Sequence, residues 1–107
     1  MITTRDYSET IVARIKREPE FARMLYVEAI NALLAGETAV GLSMLRDLVN
    51  AEITFKELAR QTGLGEKSLH RMLRHNGNPT ARNLGAILRS IADDLKITPS
   101  VAVTDNA

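Results

Sequence analysis

Cysteine is absent from this 107-residue chain, and no apolar run approaches the ~18–20 residues that a membrane span requires. Without thiols the protein can form neither disulfides nor thiolate metal sites. The first residues, MITTRDYSET, also lack the basic-then-apolar order of a secretion signal. We therefore expect a cytoplasmic protein that makes no contact with a membrane.

The sequence also lacks the residue patterns of an active site. Its two histidines, His70 and His75, are five positions apart, whereas a spacing of four would place both imidazoles on one metal. No serine lies in a strand-turn-helix elbow of the kind that hydrolases use. Gly63-Leu64-Gly65 is expected to be a turn, not a phosphate-binding loop. These absences predict no enzyme activity, no cofactor and no metal.

What the sequence does contain is helical periodicity. Hydrophobic residues make up 45% of the chain and charged residues 25%, which is typical of one globular domain. Apolar residues recur at helical spacing almost throughout. Residues 96–107 are expected to be extended or frayed, with Val101 and Val103 able to form a short edge strand. The pattern predicts an all-α protein with a helix pair within residues 54–75 and further helices at about 8–17, 19–35, 38–50 and 80–95.

Residues 54–75 have the pattern of a helix-turn-helix. Thr54 and Glu57 match a capping box at the start of the first helix. Gly63 stands at the turn, where a left-handed backbone favours glycine, and Ala59 is small enough for the helices to cross closely. An ordinary helical hairpin is the alternative, but the combined spacing favours a DNA-binding helix-turn-helix. The apolar residues that would bury the pair are Leu58, Leu64, Leu69, Met72 and Leu73.

The net charge of +1 is unevenly distributed along the chain, and one segment is strongly basic. Residues 54–92 contain seven basic and two acidic residues, a balance of +5, whereas residues 1–53 and residues 93–107 each have a balance of −2. Positive charge is therefore concentrated around the predicted helix-turn-helix, as phosphate binding requires.

Eight polar residues on and beside the second helix are the predicted DNA contacts. Arg71 could bind guanine O6 and N7 in bidentate fashion, and Lys67 and Arg74 are expected to contact phosphates. Glu66 could accept a hydrogen bond from cytosine N4, or it could simply suit a helix N-terminus. The alternatives are a solvated surface for the helix residues and turn formation for those that follow. The set is Glu66, Lys67, Ser68, His70, Arg71, Arg74, Asn76 and Arg82.

The segment ELARQTGLGEKSLHRML, followed by GNPTARNLGAIL, resembles the Xre/Cro-type helix-turn-helix domain of phage repressors. Within that group it is most similar to the HigA-like addiction module antidote (antitoxin) family. The resemblance implies a five-helix Xre/lambda-repressor-like domain at residues 37–97. It also implies an N-terminal helical extension at residues 1–36, packed on the domain, and a C-terminal tail at residues 98–107.

The same resemblance implies a function. It indicates a homodimeric transcriptional repressor that binds double-stranded DNA at its own promoter and, as an antitoxin, neutralises a RelE/HigB-like toxin. Glu66, Lys67 and Ser68 match the base-facing start of the family's recognition helix, and Arg71 matches its next turn.

Two positions depart from the family pattern. The glutamine that usually follows the N-cap and contacts the DNA backbone is Phe55, and a position that is often tyrosine is His70. Phe55 either packs inward or marks a DNA surface that has been lost. In the second case the chain would be a protein-interaction module that binds a partner protein without DNA. The +5 balance of residues 54–92 favours DNA binding.

Two further surfaces could bind partners. The segment 19–35 has more apolar residues than one buried face needs, so it is either central to the core or a dimer surface. Acidic residues away from the helix pair are hypothesised to contribute to toxin capture, with a solvated acidic surface as the alternative. These residues include Glu9, Glu18, Glu28, Asp93 and Asp94.

Overall fold

The structure is a computed structural model that describes the backbone of residues 4–106 and the side chains of residues 10–106. Within that range it contains helices and no β-strand, which confirms the all-α fold class. A π-helical turn, Val49–Ile53, continues the third helix. The helices are α1 (Thr4–Arg17), α2 (Pro19–Leu34), α3 (Thr38–Leu48), α4 (Phe55–Thr62), α5 (Glu66–Met72) and α6 (Ala81–Leu95).

The described chain has six α-helices, the number that the periodicity predicts, but residues 38–95 contain four of them and not the five that the resemblance implies. Glu18 leaves helical geometry, with φ −124° and ψ 95°, and Pro19 starts α2. Proline has no N–H to donate to the preceding turn, so it begins a helix more readily than it continues one. The N-terminal segment therefore contributes two separate helices, and residues 38–95 contribute four.

The extended end of the chain does not form the predicted edge strand. Residues 98–106 have no regular secondary structure, and Val101 and Val103 are exposed. A strand needs a neighbour for its N–H and C=O groups. The described part of the chain contains no other strand to supply one, so the segment lacks regular structure, as expected, and the edge strand does not form.

One hydrophobic core extends from α1 to α6. Ile15 and Tyr26 of the N-terminal helices belong to the same buried cluster as Leu69 of α5. The Tyr26 hydroxyl donates to the carbonyl oxygen of Leu88 at 3.0 Å, which satisfies the polar atom of this large buried side chain. The predicted boundary between residues 36 and 37 divides a shared core, and it stays a prediction. Other fully buried members are Leu42, Leu45, Leu48, Val49, Leu58, Leu73, Ile87 and Ile91.

The π-helical turn sets the position of α4. The Thr54 N–H donates to the Val49 carbonyl oxygen at 2.6 Å, which is the five-residue spacing of a π-helix. Thr54 then adopts φ 74° and ψ 151°, and α4 begins at the next residue. One residue therefore redirects the chain between the two helical segments, and no loop separates them.

Candidate nucleic-acid interface

The turn between α4 and α5 has the left-handed backbone that the sequence predicts. Gly63 caps α4 with φ 75° and ψ 6°, and its N–H donates to the Ala59 carbonyl oxygen at 2.9 Å. A Cβ at this position would meet no atom within 4 Å. Glycine is therefore needed here for its backbone freedom and not for space. The Thr62 hydroxyl strengthens the turn, since it accepts from the Leu64 N–H at 3.2 Å.

The buried side of the helix pair also agrees with the sequence pattern. Leu58 of α4, Leu69 of α5 and Leu73, which follows α5, are fully buried, and Leu64 and Met72 pack against the core. α5 is thus anchored along one side, and its other side is available to a ligand.

Only half of the predicted capping box forms. The Thr54 hydroxyl accepts from the Glu57 N–H at 3.2 Å, as expected. The Glu57 carboxylate instead accepts from Arg60 Nε at 2.9 Å and from Gln61 Nε2 at 3.2 Å. The hydrogen bond from Arg60 lowers the pKa of Glu57 to about 2. Because the Thr54 N–H already donates within the π-helical turn, Glu57 has no donor to reach back to.

The Thr54 hydroxyl stabilises the start of α4, whereas its positive φ is unfavourable for any residue other than glycine. Removing an N-cap hydroxyl costs about 1 kcal/mol, and a non-glycine residue at such a φ costs about 1–3 kcal/mol. Thr54→Ala loses the cap and keeps the strain, whereas Thr54→Gly loses the cap and relieves the strain. We expect Thr54→Gly to be more stable than Thr54→Ala by about 1 kcal/mol or more in urea unfolding.

Thr80 provides the matched control for that comparison. It also caps a helix, accepting from the Asn83 N–H at 3.1 Å, but its φ of −65° is unstrained. The difference between the glycine and alanine variants should therefore be larger at Thr54 than at Thr80. Equal differences at the two sites would mean that Thr54 is not held in the left-handed region.

Phe55 and His70, the two departures from the family pattern, are in contact with each other. Phe55 is buried, and its ring stacks on that of His70 with 3.8 Å between centroids and 18° between planes. Phe55 therefore packs inward, as one of the two interpretations predicts. The stack fixes the imidazole on the surface of α5, where His70 stays exposed. Sequence analysis missed this pair because its members are on different helices, and only the α4–α5 crossing brings them together.

The outward face of α5 holds most of the predicted DNA contacts. Glu66, Lys67, His70 and Arg71 are exposed on it. Ser68 is half-buried, and its hydroxyl accepts from Arg71 Nη2 at 3.3 Å. This bond positions the guanidinium along α5, so Ser68 orients Arg71 in the free protein.

The remaining three predicted residues lie beyond the helix. The sequence pattern places Arg74 on the outer face of the second helix. α5 ends at Met72, however, and Arg74 lies in the turn that follows, so that placement is wrong. This turn is so tight that a Cβ at Gly77 would overlap the carbonyl group of Met72, so the position requires glycine. Asn76 is exposed in the same turn, and Arg82 is exposed in the first turn of α6.

The basic residues of this surface differ from most other arginines in their pairing. Arg14, Arg23, Arg60 and Arg89 each form an ion pair with a carboxylate. No described carboxylate lies within ion-pair distance of the cations on and beside α5. Their charge is therefore available to an external anion. These cations are Lys67, Arg71, Arg74 and Arg82.

Three carboxylates from different elements, Glu52, Glu57 and Asp94, lie near enough to one another to interact electrostatically. Burial, followed by the charge of Asp94, raises the pKa of Glu52. Burial, followed by the charge of Glu57, raises the pKa of Asp94. The neighbouring Asp93 is exposed and pairs with Arg89 at 3.2 Å. Among the residues with described side chains, no group of three or more histidines or carboxylates has the arrangement of a metal site.

No helix in the described part of the chain is both long and apolar enough to cross a membrane. Of the acidic residues that the toxin hypothesis places on the first two helices, Glu28 lies on α2. Glu18 lies between α1 and α2, where it pairs with Arg14, so its placement on a helix is wrong. The Glu9 side chain lies outside the described residues.

Comparison with family models, curated proteins and solved structures finds no match to this chain. The structure shows an all-helical protein in which α4 and α5 are joined by a glycine turn and the exposed cations on and beside α5 form no ion pair with a described carboxylate. The resemblance to the HigA-like family stays a prediction.

Proposed function

We propose that this protein is an Xre-type transcriptional repressor that inserts α5 into the major groove of DNA at its own promoter. The observation that carries the proposal is the row of exposed, unpaired cations on and beside a helix whose opposite side is buried. A short helix anchored in this way is the element that helix-turn-helix proteins use to contact base edges.

Each contact has a stated role in the proposal. Arg71, oriented by Ser68, binds guanine, while Lys67 binds a phosphate at the groove edge. Arg74, Asn76 and Arg82 contact the backbone where the chain passes from α5 to α6. Glu66, at the first position of α5, either accepts from a cytosine amino group or favours the helix N-terminus.

Phe55 and His70 replace one kind of DNA contact with another. A buried phenyl ring cannot donate to the DNA backbone as glutamine can. Its ring instead supports the imidazole of His70, which can donate to phosphate or a base edge. The His70 imidazole on α5 thus offers a hydrogen-bond donor in place of the glutamine amide that Phe55 replaces.

The antitoxin role rests on the family resemblance and on the charge distribution. RelE/HigB-like toxins bind RNA and are basic, so an acidic surface away from α5 suits their capture. Asp93 and Asp94 are exposed on α6, and Asp94 lies close enough to Glu52 to raise the pKa of its carboxyl. The protein would then repress its promoter through one surface and bind the toxin through another.

The alternative is a protein-interaction module that does not bind DNA. The presence of Phe55 in place of the family's usual glutamine favours it, because the side chain that contacts the DNA backbone in that family is missing. The two functions differ in binding to duplex DNA: the repressor binds it with an affinity that falls linearly in log K against log salt as phosphate contacts release counterions, and the interaction module does not bind it.

The experiment that tests DNA binding compares two exposed lysines. Lys67→Ala should weaken binding to every DNA sequence and reduce the slope of log K against log salt by about one unit. Lys16→Ala, on α1, should leave the slope unchanged. Fluorescence anisotropy across a salt series measures both. If the two variants behave alike, α5 is not the phosphate-binding surface.

Charge reversal tests the toxin surface. Asp93→Lys combined with Asp94→Lys should slow association with the co-expressed toxin and leave promoter binding by the free protein unchanged or slightly tighter. Surface plasmon resonance at several salt concentrations measures the association rate. An unchanged rate across the series would remove these carboxylates from the partner surface.

A further inference from the structure

Helix α2 is apolar on both of its sides, although only one side is in the core. Ala22, Tyr26, Ala29 and Ala32 are buried. On the opposite side the exposed fractions of Met24, Val27 and Leu34 are 59%, 52% and 67%. Large apolar side chains that stay exposed at a regular spacing are typical of an interaction surface. The described chain thus leaves more than half of each of these three side chains uncovered.

The exposed residues of α2 follow the spacing of a coiled-coil seam. Met24, Val27, Asn31 and Leu34 are separated by three, four and three residues, which is the alternation of a and d positions over two heptads. Asn31, also exposed, falls on an inner a position. A single asparagine at such a position sets register and limits association to two strands.

Charges beside the seam indicate the direction of the second helix. Arg23 and Glu28 occupy g and e positions five residues apart, and in a parallel pair a g residue faces the e residue of the next heptad in the partner. Arg23 of each subunit would thus face Glu28 of the partner subunit, which gives two symmetric ion pairs. Within one chain, Arg23 bonds only the exposed Glu20 at 3.3 Å, and Glu28 has no ion pair among the described residues.

In an antiparallel pair of α2 helices, Asn31, Arg23 and Glu28 would not meet hydrogen-bonding or oppositely charged partners. With Met24 opposite Leu34 of the partner subunit, Asn31 would face Val27 and neither Arg23 nor Glu28 would meet an opposite charge. A parallel pair instead places Asn31 against Asn31 of the partner subunit, where the two amides can hydrogen-bond to each other. The side-chain chemistry therefore favours the parallel arrangement.

The C-terminal tail widens the same apolar surface. Residues 97–102 run beside α2 and enclose a groove of about 330 Å³ against Val27, Ile30 and Leu34. Val101 of the tail is 70% exposed. The tail lies on the side of the seam that holds Arg23, so a second helix seated on the seam would also contact it.

We propose that two copies of this chain associate through the α2 seam, defined as Met24, Val27, Asn31 and Leu34, with the two α2 helices parallel. The proposed function calls for a dimer without locating its surface, and this inference supplies the surface. The association itself does not depend on DNA, so it is measured without DNA and can fail or hold independently of promoter binding.

The absence of native cysteine allows a direct test with the full chain. In a parallel seam residue 31 lies beside its own counterpart, so Asn31→Cys should form a disulfide-linked dimer on mild oxidation. Asn50→Cys, which replaces an exposed asparagine in the π-helical turn, is the matched control and should stay monomeric on a non-reducing gel. Failure of Asn31→Cys to cross-link in a protein that sediments as a dimer would overturn the parallel seam.

Analytical ultracentrifugation provides the second readout. Val27→Glu should raise the dimer dissociation constant by about 30-fold or more, with an unchanged circular dichroism spectrum because Val27 is exposed. Arg23→Glu should weaken association by a few-fold, and adding Glu28→Arg should restore it. A wild-type monomer at every attainable concentration, or a dimer that Val27→Glu leaves intact, would overturn the proposal.

Discussion

Arg71→Ala is expected to lower the affinity for the promoter by about 1–3 kcal/mol and to relax the preference at one base pair. Arg71 is exposed on α5 without an ion pair, and Ser68 holds its guanidinium at 3.3 Å. A bidentate contact to guanine discriminates against other bases because they lack the paired O6 and N7 acceptors. Anisotropy titrations with single-base variants of the operator measure both effects.

Arg89→Ala is the matched control for Arg71. Arg89 also belongs to the basic segment, but it is paired with Asp93 at 3.2 Å on α6. Its removal should therefore leave DNA affinity within about two-fold, since an exposed ion pair contributes ~0–1 kcal/mol. Equal losses from both variants would indicate a diffuse charge effect and not a base contact by α5.

Gly63→Ala is expected to destabilise the fold by about 1–2 kcal/mol and to weaken DNA binding with it. A Cβ at Gly63 has room, but the φ of 75° is unfavourable for any L-residue. Relief of that strain would move the start of α5 relative to α4. Urea unfolding and promoter titration of the same variant should therefore report the two losses together.

Gly85→Ala is the matched control, and its expected effect has the opposite sign. Gly85 lies within α6, its φ is not positive, and a Cβ there would meet nothing within 4 Å. Alanine should therefore stabilise the helix by about 0.5–1 kcal/mol. If Gly63→Ala were as stable as Gly85→Ala, the α4–α5 turn would not depend on a left-handed residue.

The sequence predicts those features that local chemistry determines. Gly63 could be assigned because few residues other than glycine tolerate a left-handed turn, and the spacing of Leu58 and Leu69 already indicated the buried side of each helix. The outward position of Lys67 and Arg71 followed from the same periodicity. All of these depend on residues within one or two turns of each other.

Features that depend on competition or on distant contacts could not be predicted. Glu57 matched a capping box, but the Thr54 N–H that it would accept from already donates to the Val49 carbonyl oxygen. The Glu57 carboxylate therefore accepts from Arg60 instead. The Phe55–His70 stack joins residues from two helices, so no local pattern marks it. Val103 had strand-like alternation, but nothing in the described chain pairs with it.

The central claim is that the unpaired basic surface of α5 recognises a specific DNA sequence. Fluorescence anisotropy of the full chain, titrated into its own promoter fragment and into a scrambled fragment of equal length at ~0.15 M salt, tests it most directly. We expect the promoter fragment to bind tighter than the scrambled fragment by a factor of about 10³ or more. Equal affinity for the two fragments, or no binding to either at low salt, would contradict it.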